Sequence, residues 1–140
     1  MSEDLFVQKR VVSLALAKIL MAAAEQEVMR HGWSMYVAIT DDAGTPVLIQ
    51  AVNGPQTASF EISLRKARSA AGFRRPTKVW EERVQGGAPN VMTLGMVASE
   101  GGVPLMAGGA MVGAIGVSGG TGAEDGVVAK AAVAALAELG

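Results

Sequence analysis

Lys66 is the charged side chain of this sequence whose surroundings most favour a role in binding. It lies in a stretch of helical periodicity, and its neighbours three and four residues away are small or apolar: Ile62, Ser63, Ser69 and Ala70. A lysine in such surroundings either points into a pocket or a subunit interface, or extends its ammonium group into solvent. The residues alone leave both arrangements open.

Glu100 is a second residue whose position favours chemistry. It follows an apolar segment and directly precedes Gly101 and Gly102. Glycines allow the backbone to approach a ligand closely, and a carboxylate near a lysine can act as a general acid or base. The alternative is an exposed glutamate in a turn, which is the commoner setting for an isolated Glu.

Two arginines, Arg74 and Arg75, precede Pro76 in the most basic part of the chain. Seven of the 12 cationic residues lie between Arg65 and Arg83. Arginines in this region can bind an anionic ligand through forked hydrogen bonds. The alternative is a solvated basic surface or a salt bridge between subunits.

A glycine-rich loop, GAIGVSGGTGAED at residues 113–125, follows an apolar stretch. A P-loop would require Lys and Ser or Thr after its last glycine, and a dinucleotide fingerprint would require a βαβ unit. Neither is present, so the loop is predicted to connect a strand to a helix capped by Thr121. Anion binding by free N–H groups at the helix start is the alternative, which Glu124 and Asp125 oppose.

Composition excludes several classes of site and partner. There is no cysteine, and the single histidine, His31, cannot form a multi-histidine metal site within one chain, so we predict no metal. A formal net charge of −1 provides no general attraction to nucleic acid. The longest apolar stretch, residues 11–24, is too short to span a bilayer, and the acidic N-terminus does not resemble a secretory signal. We therefore expect a cytoplasmic protein that contacts no membrane.

The spacing of apolar and turn residues predicts a single α+β domain over residues 1–140 with the order αββααβββα. A helix capped by Ser2 is expected to end at His31, and a second helix is expected over 56–72, followed by a short helix capped by Thr77. Consecutive hairpins indicate a mostly antiparallel sheet with helices packed on it. The predicted strands are 34–41, 46–52, 94–99, 103–107 and 110–117.

Apolar periodicity also predicts which helix faces are buried. In the second helix the sheet-facing residues are expected to be Phe60, Leu64, Ala67 and Ala71, and in the last helix the buried ones are expected to be Val128, Ala131, Ala135 and Leu139. The first helix is apolar on almost every side in its middle. We therefore expect its own sheet to cover one side and another subunit to cover the other.

Four motifs resemble the GlcG/HbpS-like family, which includes haem-binding proteins and PduO C-terminal-like domains. They are DDAGTPVL at 41–48, RKARSAAGFRRPT at 65–77, GGVPL at 101–105 and IGVSGG at 115–120. The resemblance implies a three-layer α/β/α domain with a central antiparallel sheet, assembled into homo-oligomers from dimers up to octamers. The lysine of the second motif, here Lys66, is thereby implied to hold a carboxylate or a propionate.

The sequence departs from the family pattern at two places. Where relatives resemble TFPGG, this chain has Ala98, Ser99 and Glu100 before its two glycines, and Ala98 replaces a threonine linked to haem in haem-binding members. The segment 85–90 lacks the aromatic residue of the pattern QPGGPLYG. Both differences oppose haem binding.

From these observations we expect a small enzyme that isomerises, tautomerises or hydrolytically deaminates an unsaturated or keto-type organic acid, such as an aromatic ring-cleavage product. Glu100 and Lys66 are the predicted catalytic residues, and the small anionic organic ligand is expected to contact Lys66, Arg74, Arg75, Ser99, Gly101, Gly102, Gly119 and Gly120. No cofactor is predicted. The main alternative is a haem- or corrinoid-related binding or sensing module with haem as its ligand, and a third is a non-enzymatic structural partner.

Overall fold

The computed structural model describes residues 5–140. Four α-helices and four strands follow one another in this part of the chain. Their bounds are α1 Leu14–His31, β1 Met35–Asp41, β2 Pro46–Val52, α2 Ala58–Phe73, α3 Lys78–Gln85, β3 Gly102–Ala107, β4 Ala110–Ser118 and α4 Gly122–Leu139, with a short 3₁₀ helix at Pro89–Leu94 before β3.

The four strands form one antiparallel sheet in the order β2-β1-β4-β3. Helices α1 and α4 pack together on one face and α2 covers the other, which makes three layers. Alternation along the strands explains this division: Val37 and Ile39 of β1 contribute to the α1/α4 core, whereas Ala38 contributes to the α2 core. The fold class predicted from the sequence is confirmed.

Both predicted hairpins are present. In the β1–β2 turn, the Asp41 carboxylate accepts hydrogen bonds from the backbone N–H groups of Ala43 and Thr45, each at 2.9 Å. The β3–β4 turn consists of Gly108 and Gly109, whose φ angles of 58° and 79° lie in the region that favours glycine.

Close packing of α2 on the sheet depends on small residues in the middle strands. Ala38, Ala114 and Gly116 face this helix, and a Cβ placed on Gly116 would overlap the carbonyl oxygen of Ser63 and lie 2.5 Å from the backbone nitrogen of Ala67. The absence of a side chain at position 116 therefore sets the distance between helix and sheet, and with it the position of every α2 side chain.

Two predicted elements are wrong: the first helix begins later than expected, and one expected strand is absent. Helix α1 begins at Leu14, because the Ser13 side chain accepts a hydrogen bond from the N–H of Leu16 and acts as its N-cap. The predicted cap Ser2 lies outside the described residues. Segment 94–99 is not a strand: Gly95 ends the 3₁₀ helix with a φ of 88°, and the N–H of Val97 donates to Ser69 Oγ of α2 at 3.0 Å.

The predicted buried stripes are partly wrong. Leu64, Ala67 and Ala71 are buried, but Phe60 is 38% exposed and its ring packs edge-on against Tyr36. On α4 the buried stripe is shifted by one position for most of its length, since Leu139 is exposed and the side chains that face the core are Val128, Ala129, Ala132 and Leu136. Helix α4 contacts both α1 and the sheet, and this double contact selects the buried residues.

Helix α1 leaves apolar side chains uncovered on its outer side: Leu14, Ile19 and Met29 are each about half exposed. A cover for this side by another subunit stays a prediction. Size-exclusion chromatography with light scattering at micromolar concentration should give a mass at least twice the 14.3 kDa of one chain. A stable species of one-chain mass would refute the homo-oligomer.

None of the helices described in residues 5–140 combines the length and the apolar character needed to cross a membrane. The cytoplasmic location expected from the sequence stays a prediction.

Candidate functional site

A groove runs along α2 beside segment 95–99. One part has a volume of about 390 Å³ and is lined by Gln56, Ile62, Arg65, Lys66, Val97, Ser99, Ser118, Gly119, Gly120, Gly122 and Asp125. The other part measures about 270 Å³ and is lined by Arg65, Arg68, Ser69, Phe73, Gly95 and Met96. Because Arg65 lines both parts, we treat them as one site, the α2 groove.

A buried ion pair lies at the inner side of this groove. Lys66 Nζ donates to Asp125 Oδ2 at 2.9 Å and to the carbonyl oxygen of Val117 at 3.0 Å. Both charged residues are only 2% exposed. Helix α2 supplies the lysine and the first turn of α4 supplies the aspartate, so the pair connects the two helical layers through the end of β4.

The Asp125 carboxylate has a second partner. Its Oδ1 accepts the N–H of Gly120 at 3.0 Å. Burial raises the pKa of the Asp125 carboxyl above its ordinary value, while the Lys66 ammonium and the Gly120 N–H act in the opposite direction. From the sequence, Asp125 was expected only to oppose anion binding at the start of the last helix. A buried lysine requires a partner of opposite charge, and this requirement is the signal that could have identified Asp125.

Gly101 and Gly102 lie behind the ion pair and do not line the groove. A Cβ on Gly101 would lie 2.9 Å from Lys66 Nζ and 3.0 Å from Asp125 Cβ. Gly102 packs against the Lys66 backbone, and its N–H donates to Thr77 Oγ1 at 2.9 Å. The Thr77 hydroxyl is thus committed to Gly102 and makes no capping hydrogen bond to α3. Because these two residues have no side chain, the backbone at 101–102 can pack directly against Lys66.

The glycine-rich loop places Ser118, Gly119 and Gly120 on the groove as a connection from β4 to α4. Thr121 and Glu124 form the predicted capping box, with reciprocal hydrogen bonds at 3.2 and 2.9 Å. The N–H of Gly120 is already occupied by Asp125. The loop therefore orients a buried carboxylate, as well as joining a strand to a helix.

Glu100 is half-buried but does not line the groove. Its backbone N–H donates to Glu81 Oε1 at 3.2 Å, and its carboxylate lies over Gly126 with Oε2 at 3.9 Å from Lys130 Nζ. The carboxylate that meets Lys66 is that of Asp125. The expected partnership of Glu100 with Lys66 is thus not formed, whereas the neighbouring Ser99 does line the groove.

Arg74 and Arg75 are exposed beyond the last turn of α2 and do not line the groove. The Arg75 guanidinium lies 5.5 Å from the centre of the Trp80 ring, and its Nε donates to the carbonyl oxygen of Phe73 at 3.0 Å. Besides the buried Lys66, the cations that line the groove are Arg65 and Arg68. No ion pair joins Arg65 to Glu61, one helical turn before it, in the structure as described.

Side chains able to ligate an iron atom are scarce at the groove. Among the residues that the structure describes, no cysteine, histidine or tyrosine lines it, and the one methionine that does, Met96, is only 3% exposed. The Nε2 of His31 lies 3.0 Å from Glu27 Oε1 at the end of α1, and its ring stacks on Trp33. Within residues 5–140, no group of three His, Cys, Asp or Glu side chains could hold a metal ion.

A second depression, of about 530 Å³, lies at the end of the molecule where the β3–β4 turn meets the start of α1 and the end of α4. It combines one cation, Arg10, with the half-exposed Met106. Its remaining walls are Leu16, Ala107, Gly108, Leu136, Ala137, Leu139 and Gly140.

The chain is similar to several known proteins. It is 40% identical over 111 residues to the protein GlcG of Escherichia coli, covering 79% of this chain and 83% of GlcG. The crystal structure of Klebsiella pneumoniae protein ORFY matches with a TM-score of 0.90 and 28% identity, covering 100% of this chain and 99% of ORFY. A crystal structure of a PduOC:heme complex matches with a TM-score of 0.82 and 27% identity, covering 89% and 94% of the two chains.

The model of a family described as haem degrading protein HbpS-like matches residues 12–134. Together with the similarity to PduOC, this match overturns the prediction of an enzyme for an unsaturated or keto-type organic acid and favours the haem-binding alternative. The isomerase and deaminase activities and the role in aromatic catabolism are not supported. The match spans most of the chain and includes the four motifs of the sequence analysis, so this protein belongs to the HbpS-like family.

Proposed function

We propose that this protein binds haem or a closely related tetrapyrrole in the α2 groove. The observation that carries the proposal is the similarity, over 89% of this chain, to PduOC, whose crystal structure is that of a complex with haem. The family match over residues 12–134 supports the same ligand class. Haem therefore replaces the small organic acid as the proposed ligand, because no comparison supports an organic acid.

The groove matches the periphery of a tetrapyrrole. Haem is a flat apolar ring with two propionate groups at one edge, so a site for it requires an apolar wall and cations. The apolar residues of the groove are Ile62, Phe73, Met96 and Val97. Arg65 and Arg68 supply two guanidinium groups, the donors best suited to carboxylates.

The described lining of the groove offers no accessible side chain to ligate the haem iron. Haem iron in proteins is held by His, Cys, Met or Tyr side chains, and among residues 5–140 the one such side chain at the groove is the buried Met96. Ala98, which replaces the threonine of the family pattern, packs at the edge of the cluster around Trp80 and has no ligating atom. We therefore propose ligand binding at this site and derive no reaction at the iron.

The second depression is a weaker candidate for the same ligand. Met106 could contact the iron there, but Arg10 is the one cation among the described residues that line it. Two propionates are better matched by the two arginines of the α2 groove. Substitution of Met106 distinguishes the two locations.

Titration of the protein with hemin tests the proposal. We expect a sharpened Soret band and quenching of the fluorescence of Trp33 and Trp80, saturating at one hemin per chain with a Kd of about 1 μM or lower. The control is Arg30→Gln, which removes an exposed arginine paired with Glu27 on α1. The variant should bind hemin as the parent does. If the absorbance change rises linearly with added hemin and does not saturate in the parent or in Arg30→Gln, haem binding is refuted.

A further inference from the structure

We infer that the α2 groove recognises the carboxylates and the ring of its tetrapyrrole and not the metal, so that it binds metal-free dicarboxylic porphyrins as well as it binds haem. This inference rests on the proposed function and defines the ligand class of the same site. It arises from the contrast between two well-placed arginines and the lack of an accessible iron ligand among the described residues of the groove.

Arg65 is available for a carboxylate. It is exposed, it lines both parts of the groove, and no carboxylate of the described chain pairs with it, although Glu61 lies one helical turn before it. Arg68 follows three residues later, on the same side of α2. Its Nε donates to the carbonyl oxygen of Gly44 in the β1–β2 turn at 3.1 Å, which anchors the side chain and leaves the other guanidinium N–H groups for a carboxylate. A fixed guanidinium loses less conformational freedom when it binds a carboxylate.

Lys66 does not take part in this recognition. Its charge is compensated by Asp125 at 2.9 Å, and a second ammonium proton is donated to Val117. Selection for carboxylates therefore falls on the two arginines, which carry the uncompensated positive charge of the groove. The neighbouring apolar side chains contact only the ring, whose shape does not depend on the metal.

Three probes separate the contributions of metal, carboxylates and ring: hemin, metal-free protoporphyrin IX, and protoporphyrin IX dimethyl ester. We expect the first two to bind with Kd values within about threefold of each other. The ester, which lacks both negative charges but keeps the ring, should bind at least about tenfold more weakly, the fold-change that corresponds to loss of one good ionic hydrogen bond.

Variants locate the effect. Arg65→Gln and Arg68→Gln should each weaken protoporphyrin IX binding about tenfold and leave binding of the ester unchanged. Arg30→Gln serves as the matched control and should not change either Kd. The variants at positions 65 and 68 must melt within a few degrees of the parent protein for the comparison to stand, which we expect because both side chains are exposed.

The outcomes distinguish the inference from the proposed function. If hemin does not bind saturably, both fail. If hemin binds but protoporphyrin IX binds more than about tenfold more weakly, the metal is recognised and the inference alone is wrong. If His31→Ala or Met106→Leu changes the Soret spectrum of the bound hemin, a side chain outside the α2 groove ligates the iron, and both the proposed site and the inference are wrong.

Discussion

Removing either member of the Lys66–Asp125 pair should destabilise the protein by about 3–5 kcal/mol, a fall in Tm of roughly 10–15 °C. Each partner is 2% exposed, so Lys66→Met leaves a buried carboxylate and Asp125→Asn leaves a buried ammonium without its counter-charge. The double variant should cost less than the sum of the single variants by about 2–3 kcal/mol. Urea unfolding followed by circular dichroism measures all three.

The control for this cycle is the looser pair formed by the exposed Lys130 and the largely buried Glu100. Their charged atoms are 3.9 Å apart and Lys130 is 67% exposed, so Lys130→Met should change stability by less than about 0.5 kcal/mol. The importance assigned to the buried pair is wrong if Lys66→Met is equally mild, or if the effects of Lys66→Met and Asp125→Asn simply add.

The stability of the variant Lys66→Met should also depend on pH in a characteristic way. Burial raises the pKa of Asp125, and Lys66→Met removes the ammonium that acts in the opposite direction. In the variant, the folded state then binds a proton at Asp125 more tightly than the unfolded state, whose aspartate pKa is about 3.9. The contribution of this protonation to the free energy of unfolding is lost as the pH rises through the folded-state pKa of Asp125, and it returns as the pH falls.

The Tm deficit of Lys66→Met relative to the parent should therefore shrink as the pH is lowered from 8 to 5. The variant Lys66→Met/Asp125→Asn has no carboxyl at this position, so its deficit should not change in that way. A deficit of Lys66→Met that grows toward low pH contradicts the assignment of Asp125 as the buried acid.

Gly116→Ala should destabilise the fold by about 3 kcal/mol and lower the Tm by about 10 °C. The added methyl group would overlap the Ser63 carbonyl oxygen and approach the Ala67 nitrogen to 2.5 Å, and backbone atoms in a helix cannot rotate out of the way. Helix α2 must then move off the sheet, which should also weaken tetrapyrrole binding at the groove. Thermal unfolding and hemin titration measure the two effects.

Gly72→Ala is the matched control for that substitution. Gly72 lies within α2, and a Cβ added there would meet no atom within 4 Å. Alanine favours a helix interior over glycine by about 1 kcal/mol, so this variant should be as stable as the parent or more stable. If both glycine variants destabilise equally, contact with the sheet at position 116 is not what matters.

Local chemistry in the sequence determined the turns and most of the elements. Gly108 and Gly109 predicted a hairpin because both positions require positive φ, and Thr121 with Glu124 predicted the start of α4 because the two side chains satisfy N–H groups that the helix leaves free. The first helix was placed too early and segment 94–99 was misassigned as a strand. The apolar residues of segment 94–99 pack beside α2 and not in the sheet. A local apolar pattern cannot distinguish these two locations.

The site depended on contacts between residues distant in sequence. Of the residues that the sequence predicted for a ligand, Lys66, Ser99, Gly119 and Gly120 line the groove, whereas Arg74, Arg75, Gly101 and Gly102 do not, and the role of all of them in binding stays a prediction. The sequence could not show that Asp125, 59 residues after Lys66, would neutralise that lysine, or that Glu100 would lie outside the groove. Those outcomes follow from the packing of α2 and α4 on opposite faces of one sheet, which brings the end of β4 between them. Only the tertiary structure decides which charges are buried together, and therefore which arginines are left for a ligand.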